Sequence, residues 1–174
     1  MEAAKRLVRA PVEAAVWESD LAYRYGARLY VEEFFWEAHE VWEAVWKACP
    51  PNGVERRLLR GLIGLANAAL KVRMGRPKAA LRLLREADEV LSEVGAGPVM
   101  GVAVSPLRVA ARELAAAVEA VGNDANAHGN HHRDAGGYHT GMHPAAPPGP
   151  AAVTGILRPL DLVAGGWTPA QSAL

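Results

Sequence analysis

The sequence predicts an all-α fold: a compact antiparallel bundle of about five to six helices followed by a disordered C-terminal tail. Three observations lead to it. Leu, Val and Ala recur every three or four residues through roughly the first 121 positions of a 174-residue chain, the period of amphipathic helices, and no alternating strand pattern interrupts them. Short Pro, Gly and Asn clusters punctuate that stretch, so consecutive helices are joined by a few residues and lie antiparallel. After Val121 the composition changes: this last segment carries nine of the 17 glycines, six of the 12 prolines and five of the six histidines. Such a segment buries too little apolar surface to offset its ordering entropy. Residues 1–121 therefore read as the helical domain and residues 122–174 as a low-complexity tail, with a weak docking patch at Ile156, Leu157, Leu160 and Trp167.

Each helix has its own signals. A first runs through Val12 to Val16. A second starts at the Ser19-Asp20 cap and carries Leu21, Tyr25, Arg28 and Leu29. A third covers about Phe34 to Lys47 and stops at Cys49-Pro50-Pro51-Asn52-Gly53, a run that cannot continue a helix. A fourth spans Val54 to Met74, where Gly75 closes it and Pro77 opens a fifth that reaches Val94. Gly95 to Gly101 reads as a loop, and Ser105-Pro106 as the start of a sixth helix ending near Val121.

Composition also removes several functions. Nineteen basic residues balance nineteen acidic ones, so the broad positive potential of a general nucleic-acid binder is absent. The single cysteine, Cys49, excludes an internal disulfide and a cysteine zinc cluster and suits a reducing compartment. Charges interrupt every apolar run near the N-terminus, leaving neither a signal-peptide core nor a membrane span. The expected location is the cytoplasm.

The third helix carries the most chemical information. At about 100° per residue, Phe35, His39, Trp42 and Trp46 fall in one stripe flanked by Trp36 and Glu43, with Glu37, Glu40 and Lys47 on the other side. His39 thus lies in an aromatic face with Glu43 one turn on. That pair could serve general acid/base work or metal ligation, but the preferred reading is a core histidine satisfied by a neighbouring carboxylate. The zinc-hydrolase HExxH motif is not met, because the second histidine is missing and Glu40 is assigned to the opposite face. On the fourth helix, Arg57, Arg60, Gly64, Asn67 and Lys71 make a polar stripe with a notch at Gly64, where close helix packing or a ligand is expected. Arg60 is placed to meet Glu43. Arg56, Arg57, Arg60 and Lys71 together form a candidate anion or partner face. On the fifth helix, Arg82 with Glu86 and Arg85 with Glu89 are surface pairs, while Asp88 needs a partner or lies at the rim.

Elsewhere the chemistry is thin. The tail histidines His128, His131, His132, His139 and His143 would collect a divalent ion only weakly without a fixed scaffold. No phosphate-cradling glycine loop, nucleophile elbow or dinucleotide fingerprint occurs. Neither a cofactor nor a resident metal is expected.

The run FFWEAHEVWEAVWK, followed by ERRLLRGLIGLANAALKVRMGRPKAALRLLREADEVL, resembles the uncharacterised bacterial and archaeal family DUF309. That pattern is approximately Y-W-E-A-H-E-x-L-E-x-x-W after a small residue, then R-x-x-L-Q-G-L-I-Q-x-A, then G-N-P. Trp36, Glu37, Ala38, His39, Glu40, Glu43 and Trp46 match the first block; Arg56, Leu59, Gly61, Leu62, Ile63 and Ala66 the second; Gly75 and Pro77 the third. The resemblance covers about residues 29–91 and implies a compact helical domain, with no established activity to carry over. The chain departs from the pattern at Arg60 and Gly64, where glutamines are usual, at Lys71, often a histidine, and at Glu33, usually a glycine.

The functional expectation is a binding or interaction module in which His39, Glu43, Trp46 and Arg60 form a polar cluster within an aromatic core, with enzymatic activity left open. Its partner would be a protein or a second copy of the chain. A metal-dependent or acid/base hydrolase using His39 and Glu43 is the alternative, followed by an RNA- or nucleotide-binding module using the basic face.

Overall fold

The computed structural model describes the backbone of residues 11–129 and the side chains of residues 11–121. Asp20 starts the first helix, its carboxylate accepting the Tyr23 N–H at 2.7 Å, as an N-cap does. Five helices follow in chain order: α1 (Leu21–Val31), α2 (Phe35–Ala48), α3 (Val54–Arg73), α4 (Pro77–Ser92) and α5 (Val104–Gly129). Each packs chiefly on its chain neighbours, the up-and-down arrangement that short connections produce. Leu58, Leu59, Leu62 and Leu65 of α3 belong to one buried core with Trp42 of α2 and Leu84 and Leu91 of α4. Among the described residues, no helix is long and apolar enough to cross a membrane.

Two corners share one geometry. At the end of α1, Phe34 N–H donates to Leu29 C=O at 2.8 Å and Glu33 N–H to Tyr30 C=O at 3.0 Å, while Glu33 takes a φ of 65°. At the end of α3, Arg76 N–H donates to Lys71 C=O at 2.9 Å and Gly75 N–H to Val72 C=O at 3.0 Å, with Gly75 at φ 64°. Both are Schellman closures, which place one residue in the left-handed region. Glycine reaches that region freely, and Glu33 does so at a cost of about 1 kcal/mol. The Glu33 carbonyl accepts the Arg73 guanidinium at 2.8 Å, which ties the corner to α3.

The structure departs from the sequence reading in three places. Residues 12–16 are not helical: Val12 enters the core, Ala14 N–H donates to Glu55 Oε1 at 3.1 Å, and only a 3-10 turn at Trp17–Ser19 follows. Those tertiary contacts override a weak local propensity. The predicted 95–101 loop contains half of a small hairpin, Pro98–Val99 paired antiparallel with Val102–Ala103. Its two turn residues, Met100 at φ 49° and Gly101 at φ 74°, have the signs a two-residue type I′ turn requires. The hairpin is held inward because Met100 and Val102 are buried and Tyr23 Oη donates to Met100 C=O at 2.8 Å. Finally, α5 continues through Gly129, beyond the boundary expected at Val121; extending a formed helix is far cheaper than nucleating one. The side chains of the tail histidines and the Ile156, Leu157, Leu160 and Trp167 patch lie outside the described residues.

Gly64 sits against α4, where a Cβ would come 3.1 Å from that of Ala87, so close helix packing fills the notch. Asp88 lies at the rim and has its partner: Arg108 donates to its two oxygens at 2.8 and 3.4 Å. Arg82 pairs with Glu86 at 2.7 Å as spacing predicts. Arg85 instead reaches across to Glu119 of α5, at 3.7 Å.

Candidate functional site at the open edge of α2

The buried face of α2 consists of Phe35, Ala38, Val41, Trp42 and Val45. Phe35 and Trp42 belong to it as expected, whereas His39 and Trp46 stand at its margin, only partly buried. The difference arises because the α1–α2 packing is centred on Trp42: its ring covers Gly26, where a Cβ would fall 2.5 Å from Nε1, and its Nε1–H donates to Tyr23 C=O at 3.1 Å. Tyr30 packs against both Trp42, at 5.7 Å between ring centroids, and Phe35, at 5.3 Å. With that side of α2 filled by rings, the polar residues are rotated to the edge.

At that edge His39, Glu40 and Glu43 converge. One ligand-capable atom from each lies within 4.8 Å of the other two, and all three residues are half-buried. His39 Nδ1 is 3.6 Å from Glu40 Oε1, with side-chain exposures of 16% and 18%. That separation is beyond hydrogen-bond length, so the buried Nδ1 has no hydrogen-bond partner among the described residues. Trp36, itself half exposed, stacks on the imidazole at 5.5 Å. Glu43 Oε1 holds Lys47 Nζ at 3.0 Å, and Glu40 has a further interaction of its own. The helical-wheel assignment of Glu40 to the far side is therefore corrected: its flexible side chain returns toward the neighbouring imidazole.

The arginine beside Trp46 is Arg56, not Arg60. Its guanidinium lies 4.0 Å from the Trp46 ring centroid and donates to Trp46 C=O at 3.0 Å and Cys49 C=O at 2.8 Å. It thereby satisfies carbonyls that the end of α2 leaves open and adds a cation–π contact. Trp46 Nε1 remains buried without a partner among the described residues. Arg60 is exposed and makes no ion pair among the described residues. Three of the four residues of the candidate basic face have separate contacts. Arg56 is engaged at α2, Arg57 donates to Asn52 C=O at 3.0 Å, and Lys71 reaches Met74 Sδ at 4.0 Å, with the Gly64–Ala87 packing between them along α3.

The other ionisable groups of the core are ordinary packing elements. Burial raises the Tyr23 and Tyr30 hydroxyls well above the usual tyrosine range. Burial also raises the Cys49 thiol, which donates to Val45 C=O at 3.4 Å; a protonated, buried thiol is a poor nucleophile. The sequence reading found His39 and Glu43 but missed Glu40 and the role of Arg56. An i, i+1 pair carries no helical-face signal, and nothing in the spacing separates Arg56 from Arg57 or Arg60.

No curated protein and no solved structure matches the chain. Residues 23–83 match the family described as a domain of unknown function, a span that takes in most of α1, all of α2 and α3 and the first part of α4. The cluster at the edge of α2 thus lies within the stretch of the chain that is similar to the DUF309 family.

Proposed function

We propose that the protein is a small helical binding module that takes a positively charged ligand at His39, Glu40 and Glu43. One observation carries the reading: the cluster is neither sealed nor mutually satisfied. A structural histidine–carboxylate pair would be buried and hydrogen-bonded, yet His39 Nδ1 stands 3.6 Å from Glu40 Oε1 and Glu43 faces a side chain that is 62% exposed, Lys47. Two carboxylates around one imidazole favour a cation. The half-exposed Trp36 face beside them adds a surface of the same preference. Arg56, Arg57 and Lys71 are each engaged with a local acceptor, which takes support from the RNA- or nucleotide-binding alternative.

The test uses Trp36, whose ring lies on His39, as a reporter. Zinc chloride, spermidine and a lysine-rich peptide are titrated into the full chain while tryptophan fluorescence is followed, with Trp36→Phe identifying the reporting ring. A saturable change with one of them, lost in Glu40→Gln/Glu43→Gln, is expected. No saturable response to any of the three would contradict the proposal.

A further inference from the structure

We infer that the cation is a divalent metal of the zinc class, held by an imidazole nitrogen of His39 and one carboxylate oxygen each from Glu40 and Glu43. The inference rests on the reading of this edge as a binding site and names its ligand. The donor set is one nitrogen and two oxygens. Calcium and magnesium take oxygen ligands almost alone, whereas zinc and its neighbours accept imidazole with carboxylate. The spacing fits as well. Zinc bonds of about 2.0–2.2 Å in a tetrahedral sphere place ligand atoms about 3.4 Å apart. His39 Nδ1 and Glu40 Oε1 already stand 3.6 Å apart, and all three ligating atoms lie within 4.8 Å of one another. Small side-chain rotations close the remainder without moving the helix.

The imidazole gives the second, independent indication. His39 Nδ1 is buried and has no hydrogen-bond partner among the described residues, which leaves a desolvated nitrogen lone pair or N–H beside the Glu40 carboxylate. Trp36 stacked at 5.5 Å fixes the ring plane, so little rotamer freedom is lost on coordination. Lys47 is a competitor: its ammonium sits 3.0 Å from Glu43 Oε1 on a largely exposed side chain and must swing away when the metal binds. Glu40 likewise exchanges an existing interaction for the metal. Three protein ligands on one helix leave at least one coordination position open.

The histidine-rich tail is the principal confounder, so the experiment must separate two locations in one chain. Full-length protein, stripped of metal, is titrated with zinc chloride by calorimetry and with cobalt chloride by visible absorption. His39→Ala, Glu43→Gln, Lys47→Met and a His131→Ala/His132→Ala variant are compared. One tight site is expected, with affinity at least about 100-fold weaker in His39→Ala and at least about 10-fold weaker in Glu43→Gln. Lys47→Met should bind severalfold more tightly, an effect a merely structural role would not give. The tail variant should keep the tight site. Zinc lost only in the tail variant, or unaffected by His39→Ala and Glu43→Gln with both variants folded by near-UV circular dichroism, would overturn the metal assignment. If spermidine or the lysine-rich peptide binds at this edge while zinc does not, the metal assignment falls and the binding-module reading stands. If none binds, both fall.

Discussion

The two sides of α2 are built from similar residues and do opposite things. On one side Trp42 is fully buried, its N–H bonded to Tyr23 C=O and its ring pressed on Gly26. On the other, Trp36 is half exposed and stacks on a histidine whose inner nitrogen has no bond among the described residues. On the first side the ring nitrogen finds its partner within the fold. The second is left incomplete by it, and an incomplete polar group costs stability unless something outside the chain completes it.

Substitutions on the packed side should have the largest effects. Trp42→Ala removes a buried ring and its hydrogen bond, and a loss of about 3–5 kcal/mol in chemical denaturation is expected. Gly26→Ala reaches the same contact from the α1 side. A Cβ 2.5 Å from Trp42 Nε1 forces the ring to move, for a loss of about 1–3 kcal/mol.

A tyrosine pair sharpens the comparison within the core. Tyr23 Oη bonds to Met100 C=O, whereas Tyr30 Oη has no partner among the described residues. Tyr23→Phe should cost about 1–2 kcal/mol, because it strands a carbonyl, and Tyr30→Phe should be neutral or stabilising. Both hydroxyls are raised above their ordinary range by burial. The folded state therefore favours the neutral form. Its contribution is fully present below the unfolded tyrosine pKa of about 10 and is lost as pH rises through the folded values. Unfolding midpoints measured against pH should fall above about pH 10, less steeply in Tyr30→Phe.

The smallest effects belong to the corner before α2 and to its open edge. Glu33→Gly relieves a left-handed backbone, with a gain of up to about 1 kcal/mol, provided the corner keeps its Arg73 contact. His39→Leu should change stability by less than about 1 kcal/mol, since the imidazole has no hydrogen bond at Nδ1 to lose.

Much of this was legible in the sequence because strong local signals and the tertiary fold agree. Asp20, the Pro50-Pro51 break, Gly75 and Pro77 each act within one turn of chain, and the helices begin and end there. The resemblance even located the strained corner, since Glu33 stands where a glycine is usual and adopts a glycine-like φ. What could not be read depends on distant partners. Val12 to Val16 is drawn out of a helix by the core and by Glu55. The Met100-Gly101 turn is fixed by Tyr23. The candidate site was half legible: helical spacing brings His39 and Glu43 together, but Glu40 joins them through a side-chain rotamer, and Arg56 rather than Arg60 meets Trp46 because of where α3 begins.

Thermal unfolding of the full chain and of His39→Leu, each with and without zinc chloride, tests the central claim most directly. Binding to the folded state raises the midpoint, while metal held equally by folded and unfolded chains, as by a histidine-rich tail, does not. Without zinc the two proteins should unfold within a few degrees of each other, and zinc should raise the midpoint of the unsubstituted chain alone. A large loss of stability in metal-free His39→Leu, or an equal response to zinc in both proteins, would contradict the account.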